Sequence, residues 1–255
     1  MNKYGKLFLS LNLGLLVCFF RKGPKTFSRA CRKTFDTLSS VESDLLAAIP
    51  EIPLQSALSG REVEFQLPIK NYVDGMLPSE HALALVSILV AEQPAAVLEI
   101  GTYMGHTSKL MACNLPSAEI HTVDLPLDAS SVPDPSSVLA RDDFHLVGAR
   151  VVGREFKGHP CANRIIQHYG DTAHWNFAEA GSPSFFFIDG CHTYDYVKND
   201  SEKCLALCAS RPATFLWHDC DENHPGILQF LQEWRELGRD VCRIRGTSLA
   251  YWKKI

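Results

Sequence analysis

The chain has 255 residues, of which 46% are apolar and 21% charged, so it can bury the core of an α/β domain. This balance excludes intrinsic disorder, a collagen-like repeat and a disulfide-stapled miniprotein. Residues 1–35 hold eight of the 25 Lys and Arg and none of the 29 Asp and Glu. Because the rest of the chain is acidic, we expect it not to bind nucleic acid.

Residues 1–35 form a basic and apolar N-terminal arm. Its apolar run from Leu7 to Phe20 has 14 residues, fewer than the roughly 20 that a spanning helix needs. No small-residue cleavage site follows, so the run does not resemble a signal peptide. Two alternatives stay open, namely a helix docked on its own domain or a partner, and an anchor at a membrane surface. Residues 36–78 are predicted to be a helix and a proline-broken connector.

Residues 79–255 alternate between strand and helix signals. Ser79 is predicted to cap a helix over about 80–92 that ends before Pro94. The Pro/Ser/Asp-rich residues 125–160 are long for a connection and indicate a lid or substrate loop. Parallel strands joined by helices predict a doubly wound α/β sheet with ligands at the carboxyl ends of its strands. The other predicted elements are strands at 96–100, 120–123, 165–166, 184–188 and 214–217, helices at 107–113, 194–208 and 227–237, and a hairpin of 241–245 with 248–252.

The nine cysteines are odd in number and include no C-x-x-C pair. Several lie inside apolar runs, so we expect buried free thiols in a reducing compartment and a cytoplasmic protein. The same spacing offers no closely paired ligands for a structural zinc site.

A glycine turn follows the first predicted strand of this alternation. Gly101 allows a tight turn near a ligand, but Tyr103 and His106 stand where a dinucleotide fingerprint needs glycines. NAD and FAD are therefore disfavoured. Asp124 ends the second strand, where a carboxylate can accept both ribose hydroxyls, so the pattern favours an adenosyl ligand such as S-adenosylmethionine (SAM). Glu99 can anchor the ligand or the surrounding loop.

Six runs of the sequence carry a family resemblance, namely 98–105, 122–124, 169–172, 187–200, 217–219 and 246–250. In these runs the chain resembles class I SAM-dependent methyltransferases, in particular the methyltransferase-24 family related to cephalosporin-hydroxylase-like and macrocin-type O-methyltransferases. The resemblance implies a Rossmann-like sheet of seven strands, the last antiparallel. It also implies that Asp124 holds the ribose of SAM and that Asp171 lies beside the adenine, with a turn cap as the open alternative for Asp171. The methionine end would be lined by Glu99, Gly101, Thr102 and Gly105.

Two further pairs follow neighbouring strands, Asp189 with His192 and His218 with Asp219. Parallel strands lie about 5 Å apart, so these four predicted catalytic groups can converge and remove a proton from a hydroxyl. Alternatively, Asp189 and Asp219 can hold Mg²⁺. Catechol-type O-methyltransferases have an Asn where this chain has Cys220, and a thiol is a poor Mg²⁺ ligand.

These observations lead to two alternatives for function. The first is an enzyme that methylates the oxygen of a small hydroxyl-bearing acceptor, such as a sugar or a secondary metabolite. The second is a catalytically inactive adenosyl-binding module within a larger assembly. A homo-oligomer is compatible with either, and the sequence does not decide it. Tyr194, Asp195 and Asp200 are expected to lie outside the active site, because they begin a helix.

Overall fold

The computed structural model describes residues 43–68, 73, 75–126 and 151–255. The arm of residues 1–35, with its proposed membrane contact, lies outside the described residues, as does the stretch 127–150 of the predicted lid. The chain divides into two compact units, residues 1–47 and 48–255. Within the part of the chain described, no helix is both long enough and apolar enough to cross a bilayer.

Strands and helices alternate along the second unit. The described strands are β1 (Glu51–Ile52), β2 (Ala96–Ile100), β3 (Glu119–Asp124), β4 (Ile165–Tyr169), β5 (Phe185–Ile188), β6 (Ala213–Trp217), β7 (Cys242–Ile244) and β8 (Ala250–Lys254). The described α-helices of this unit are α1 (Leu54–Ala57), α2 (Ser79–Glu92), α3 (His106–Asn114), α4 (Tyr194–Cys208) and α5 (Pro225–Glu236). Short 3₁₀ helices cover Pro160–Arg164 and Phe177–Ala180.

The strands form one sheet in the order β1-β7-β8-β6-β5-β2-β3-β4. Strand β8 runs antiparallel to both β6 and β7, and the other neighbours are parallel. This confirms the doubly wound α/β fold and the closing hairpin. The prediction of seven strands misses one, because β1 of the connector adds an eighth strand at the edge next to β7. A two-residue strand between Pro50 and Pro53 has no alternation to reveal it, and prolines are tolerated at a sheet edge.

The boundaries of most elements lie close to their predicted positions. Helix α4 and strand β2 coincide with their predictions, whereas β4 extends three residues beyond Ile166 to Tyr169. The predicted capping role of Ser79 is wrong. Ser79 is the first helical residue, and Pro78 stands in the cap position without a side-chain hydrogen bond. Gln93 adopts a left-handed conformation and closes the helix before Pro94, as expected.

The central strands of the sheet are buried on both faces, and this packing holds their carboxyl ends in place. Phe185, Phe186 and Phe187 of β5 are fully buried, as are Val97 and Leu98 of β2. Strands covered by helices on both sides carry such continuous apolar runs. The residues at and just after the ends of β2, β3, β5 and β6 are therefore held at fixed positions along one edge.

Candidate active site

A cavity of about 510 Å³ lies along the carboxyl ends of these strands. This volume is typical of sites for small molecules. Two of the ten predicted site residues, Glu99 and Gly105, do not line the cavity, and the other eight do. The eight are Gly101, Thr102, Asp124, Asp171, Asp189, His192, His218 and Asp219.

Gly101 occupies a position that only glycine can take. Its φ is +98°, and a Cβ atom there would lie 2.0 Å from the carbonyl oxygen of Asp189. The turn is also hydrogen-bonded to both neighbouring strands, because Gly101 N donates to Val123 O (2.9 Å) and Asp189 N donates to Ile100 O (2.9 Å). The cavity floor therefore consists of backbone that a side chain would displace.

Asp124 is oriented by two backbone amides. The N–H of Tyr103 donates to Oδ2 and that of Leu125 to Oδ1, both at 2.7 Å. Tyr103 has a φ of +47°, a left-handed conformation that is uncommon for an aromatic residue. A carboxylate has about four lone-pair positions, so both oxygens can accept further hydrogen bonds from a ligand.

Glu99 lies behind the cavity wall, which corrects the expectation that it lines the methionine end of SAM. It is fully buried, and its Oε2 accepts hydrogen bonds from Ser108 of α3 and from Thr122 of β3 (2.6 Å). Burial raises the pKa of Glu99 to about 8 although these two hydroxyls favour the ionised form. Glu99 therefore anchors the elements that flank the turn, which was its alternative predicted role.

Gly105 also lies outside the lining and serves packing instead. A Cβ atom at Gly105 would lie 2.5 Å from the ring of Phe156 and 3.0 Å from Gly153. The segment around Phe156 is hydrogen-bonded to the turn, since Gly153 N donates to Tyr103 O (3.0 Å) and Glu155 N to Met104 O (2.9 Å). The missing side chain at Gly105 allows this segment to approach the turn from behind.

Asp171 is a turn cap that also lines the cavity. Its Oδ1 accepts hydrogen bonds from Ala173 N (2.9 Å), which makes it a turn cap, and from the hydroxyl of Tyr196 (3.0 Å). Both Asp171 and Tyr196 line the cavity. Burial and then the charge of Asp171 raise the pKa of Tyr196, so its hydroxyl stays protonated and can donate.

The two predicted histidine and aspartate pairs converge at the other end of the cavity. Asp219 Oδ2 lies 2.9 Å from His192 Nε2 and 3.0 Å from His218 Nδ1. The same His218 nitrogen lies 3.1 Å from Asp189 Oδ1. Asp219 adopts a left-handed conformation with φ +55°, a strain that is common where a side chain is held for function. His218 thus lies between two carboxylates.

The histidines and carboxylates of this cluster shift one another's pKa values towards the charged forms. Burial alone would raise the pKa of Asp219, but His192 and His218 hold it well below its usual range. Burial lowers the pKa of His218, but the carboxylates of Asp189 and Asp219 outweigh this effect and raise it to about 10. Near neutral pH, His218 is therefore an imidazolium paired with two carboxylates.

His81, on α2, also belongs to this cluster, and sequence reasoning missed it. Its Nδ1 lies 2.9 Å from His218 Nε2, while Ser248 N approaches its Nε2 at 3.3 Å. A protonated His218 donates to His81 Nδ1, which puts the single His81 proton on Nε2, facing the Ser248 N–H. The two contacts of His81 cannot then both be hydrogen bonds. The longer contact, with Ser248 N, is the one that is not a hydrogen bond. The sequence feature that could have indicated His81 is its position four residues before Leu85, which places a histidine on the apolar face of α2.

Asp200 was also missed, and its predicted exclusion from the site is wrong in part. It lines the cavity from α4, is almost fully buried, and has a pKa raised by burial to about 6. The other two excluded residues do lie outside the lining. Asp195 is exposed at the start of the helix, and Tyr194 donates to Glu233 (2.5 Å).

A Rossmann-like sheet with a glycine turn and an acidic residue at the end of the next strand defines the class of adenosyl-binding α/β domains. Residues 98–220 match the methyltransferase-24 family model, described as a methyltransferase domain. This segment is similar to that family, and the prediction of a methyltransferase domain is confirmed.

Solved structures of methyltransferases are similar to this chain at low sequence identity. A candidate caffeoyl-CoA O-methyltransferase from Staphylococcus aureus is 12% identical, with a TM-score of 0.51 over 71% of this chain and 85% of that chain. An O-methyltransferase from Bacillus cereus in complex with S-adenosylhomocysteine (SAH) is 12% identical, with a TM-score of 0.49 over 72% and 85%. TomG from Streptomyces achromogenes, an O-methyltransferase in complex with SAM, is 16% identical, with a TM-score of 0.48 over 71% and 82%.

Proposed function

We propose that this chain transfers the methyl group of SAM to a hydroxyl oxygen of a small acceptor, such as a sugar or a secondary metabolite. The observation that carries the proposal is that one cavity contains both the Gly101 turn with Asp124 and the His192–Asp219 pair. The first half suits an adenosyl ligand and the second suits proton removal. Methyl transfer to oxygen requires both.

In this proposal SAM lies along the first half of the cavity. Gly101 and Thr102 line its methionine end, Asp124 accepts the ribose hydroxyls, and Asp171 with Tyr196 lies beside the adenine. The two backbone amides that bind Asp124 support this role, because they orient the carboxylate before the ligand arrives. Glu99 and Gly105 hold the turn in place from behind.

The acceptor binds at the second half, with its hydroxyl between the methyl group of SAM and His192. The oxygen attacks the methyl carbon, the carbon–sulfur bond breaks, and its electron pair stays on sulfur, which yields SAH. The hydroxyl proton passes to His192, and Asp219, 2.9 Å away, stabilises the imidazolium that forms. His218 is not the base, because it is already protonated between its two carboxylates.

The donor set argues against Mg²⁺ as part of this mechanism. His218 Nδ1 lies within 3.1 Å of both Asp189 and Asp219, the two predicted Mg²⁺ ligands, and fills the space between them. Cys220 is fully buried, with a pKa raised by burial to about 12. Mg²⁺ prefers oxygen ligands, whereas the groups beside these two carboxylates are an imidazolium and a protonated thiol. No step is therefore assigned to Mg²⁺.

Calorimetric titration of the full chain with SAH tests the proposal. We expect one-to-one binding that is unchanged by EDTA, and an affinity roughly 10- to 100-fold lower in Asp124→Ala, which loses hydrogen bonds to a charged group. The matched control is Asp195→Ala, which removes an exposed carboxylate outside the cavity and should bind like the parent. A folded chain that does not bind SAH would refute the proposal. SAH binding without methyl transfer to any acceptor of a hydroxyl panel would instead favour an inactive binding module.

A further inference from the structure

Three metal-binding side chains meet outside the cavity, at the far end of α3. Cys113 comes from the last turn of α3, and His159 and Cys161 come from the start of the 3₁₀ helix at Pro160. The two sulfur atoms lie 3.7 Å apart, and His159 Nδ1 lies 3.0 Å from Cys161 Sγ and 4.0 Å from Cys113 Sγ. None of the three lines the cavity.

These distances match those between the ligands of a tetrahedral zinc ion. With Zn–S bonds of about 2.3 Å, two thiolates on one ion are about 3.8 Å apart, and a thiolate and an imidazole nitrogen about 3.6 Å apart. The observed sulfur separation is 3.7 Å, and the sulfur–nitrogen distances of 3.0 and 4.0 Å lie on either side of the expected value, so a small rotation of the His159 ring would equalise them. The two sulfurs are not joined in a disulfide, in which they would be about 2.05 Å apart.

We infer that Cys113, His159 and Cys161 form a binding site for one zinc ion, with water as the fourth ligand. Cys113 and His159 are half-buried, so solvent reaches the ion from their side, whereas Cys161 is 4% exposed and closes the other side. Coordination through His159 Nδ1 replaces the hydrogen bond (3.3 Å) that Cys161 N donates to this atom at the start of the 3₁₀ helix. Two thiolates neutralise the ion, so no buried charge is left uncompensated.

Hydrogen bonds from Arg164 keep the elements that carry these ligands close together. Arg164 donates to the carbonyl oxygens of Ala112 and Leu115, both at 2.6 Å, and so fixes the end of α3 against the 3₁₀ helix. Cys113 and Cys161 are both free thiols. Zinc binding deprotonates such a thiol.

The inferred ion connects the two segments that flank the glycine turn. Helix α3 starts directly after Gly105, and the segment that ends at His159 packs on the back of the turn through Gly153 and Phe156. A zinc ion at Cys113, His159 and Cys161 would connect the ends of these two segments that lie away from the turn. It has a structural role, and its binding does not depend on the methyl acceptor.

Metal analysis of the purified full chain tests the site. After dialysis against zinc and removal of excess, we expect one zinc ion per chain by elemental mass spectrometry. The affinity, measured by competition with a chromophoric chelator, should fall more than about tenfold in Cys113→Ala and in His159→Ala, since even the loss of an outer-shell contact costs that much. Cys208→Ala, a buried cysteine on α4, is the matched control and should keep the affinity of the parent.

Two further measurements make the test decisive. The parent chain loaded with Co²⁺ should show thiolate-to-metal charge-transfer absorption and tetrahedral ligand-field bands, a result that requires no variant to fold. Asp219→Ala should retain its zinc, because Asp219 belongs to a different cluster. The inference is overturned if the cobalt bands are absent or if zinc is lost in Asp219→Ala. It is also overturned if peptide mapping finds a Cys113–Cys161 disulfide in a chain that binds no zinc.

Discussion

The two halves of the cavity are built by different kinds of contact. On the Gly101 side, Asp124 is held by the backbone amide of Tyr103, 21 residues away in the same βαβ unit. On the His192 side, side chains contact other side chains across the fold, and His81 meets His218 over a separation of 137 residues. The first half follows from how one strand passes into its helix. The second half exists only once α2, β5 and β6 have been assembled.

This difference predicts how each half responds to substitution. A change on the Gly101 side alters backbone geometry and should affect stability and cofactor binding together. A change on the His192 side alters a network of charges above an intact sheet and should affect the chemical step alone. The expected effects below run from the largest to the smallest.

Asp219→Ala should lower the rate of methyl transfer about 10²- to 10⁴-fold, because His192 loses the carboxylate that stabilises its protonated form. The rate is measured as transfer of labelled methyl from SAM to whichever hydroxylated acceptor the parent turns over in a panel. SAH affinity should stay within about threefold, since Asp219 lies in the half that receives the acceptor.

Asp221→Ala is the control for this substitution. Asp221 lies two residues further along the chain and also lines the cavity, but its carboxylate pairs with His224 (2.9 Å), so we expect less than about a tenfold loss of rate. Loss of SAH binding in Asp219→Ala would contradict the separation of the two halves. A rate equal to that of the parent would contradict the assignment of His192 and Asp219.

Gly101→Ala should lower the free energy of unfolding by at least about 3 kcal/mol and weaken SAH binding as well. The new Cβ atom would lie 2.0 Å from Asp189 O, so the ends of β2 and β5 must move apart. Urea denaturation of the full chain measures the loss of stability.

Gly158→Ala separates steric conflict from backbone strain. Gly158 has a φ of +76°, but a Cβ atom at this position would meet no other atom within 4 Å, so only the left-handed strain of about 1–2 kcal/mol applies. Equal losses in the two variants would mean that the contact between Gly101 and Asp189 does not support the cavity.

The same distinction explains what could be predicted from the sequence. The strand ends, the Gly101 turn and Asp124 follow from local patterns, because parallel strands bring their carboxyl ends to one edge. His81 could not be predicted, since only the packed fold brings it to His218. The edge strand β1 is too short to show alternation. Glu99 was assigned to the ligand because its position in the motif does not reveal that Ser108 and Thr122 surround it.

Glu99→Gln should change how the free energy of unfolding depends on pH, an effect smaller than that of Gly101→Ala over any single pH unit. The pKa of Glu99 is about 8 in the folded chain, whereas a glutamate in water has a pKa of 4.5. Between these values the folded state keeps a proton that the unfolded state has lost, so the free energy of unfolding falls as pH rises, by up to about 1.4 kcal/mol per pH unit. Gln cannot ionise and can still accept from Ser108 and Thr122, so this part of the slope should disappear.

Urea denaturation at pH 5, 6, 7 and 8 measures the slope for the parent and for Glu99→Gln. Glu236→Gln, which removes an exposed carboxylate at the end of α5, should follow the curve of the parent. Parallel curves for the parent and Glu99→Gln would mean that Glu99 titrates normally and is not the buried, protonated support of the turn. A reduced slope with unchanged SAH affinity would establish that Glu99 acts on the backbone behind the cavity rather than on the ligand.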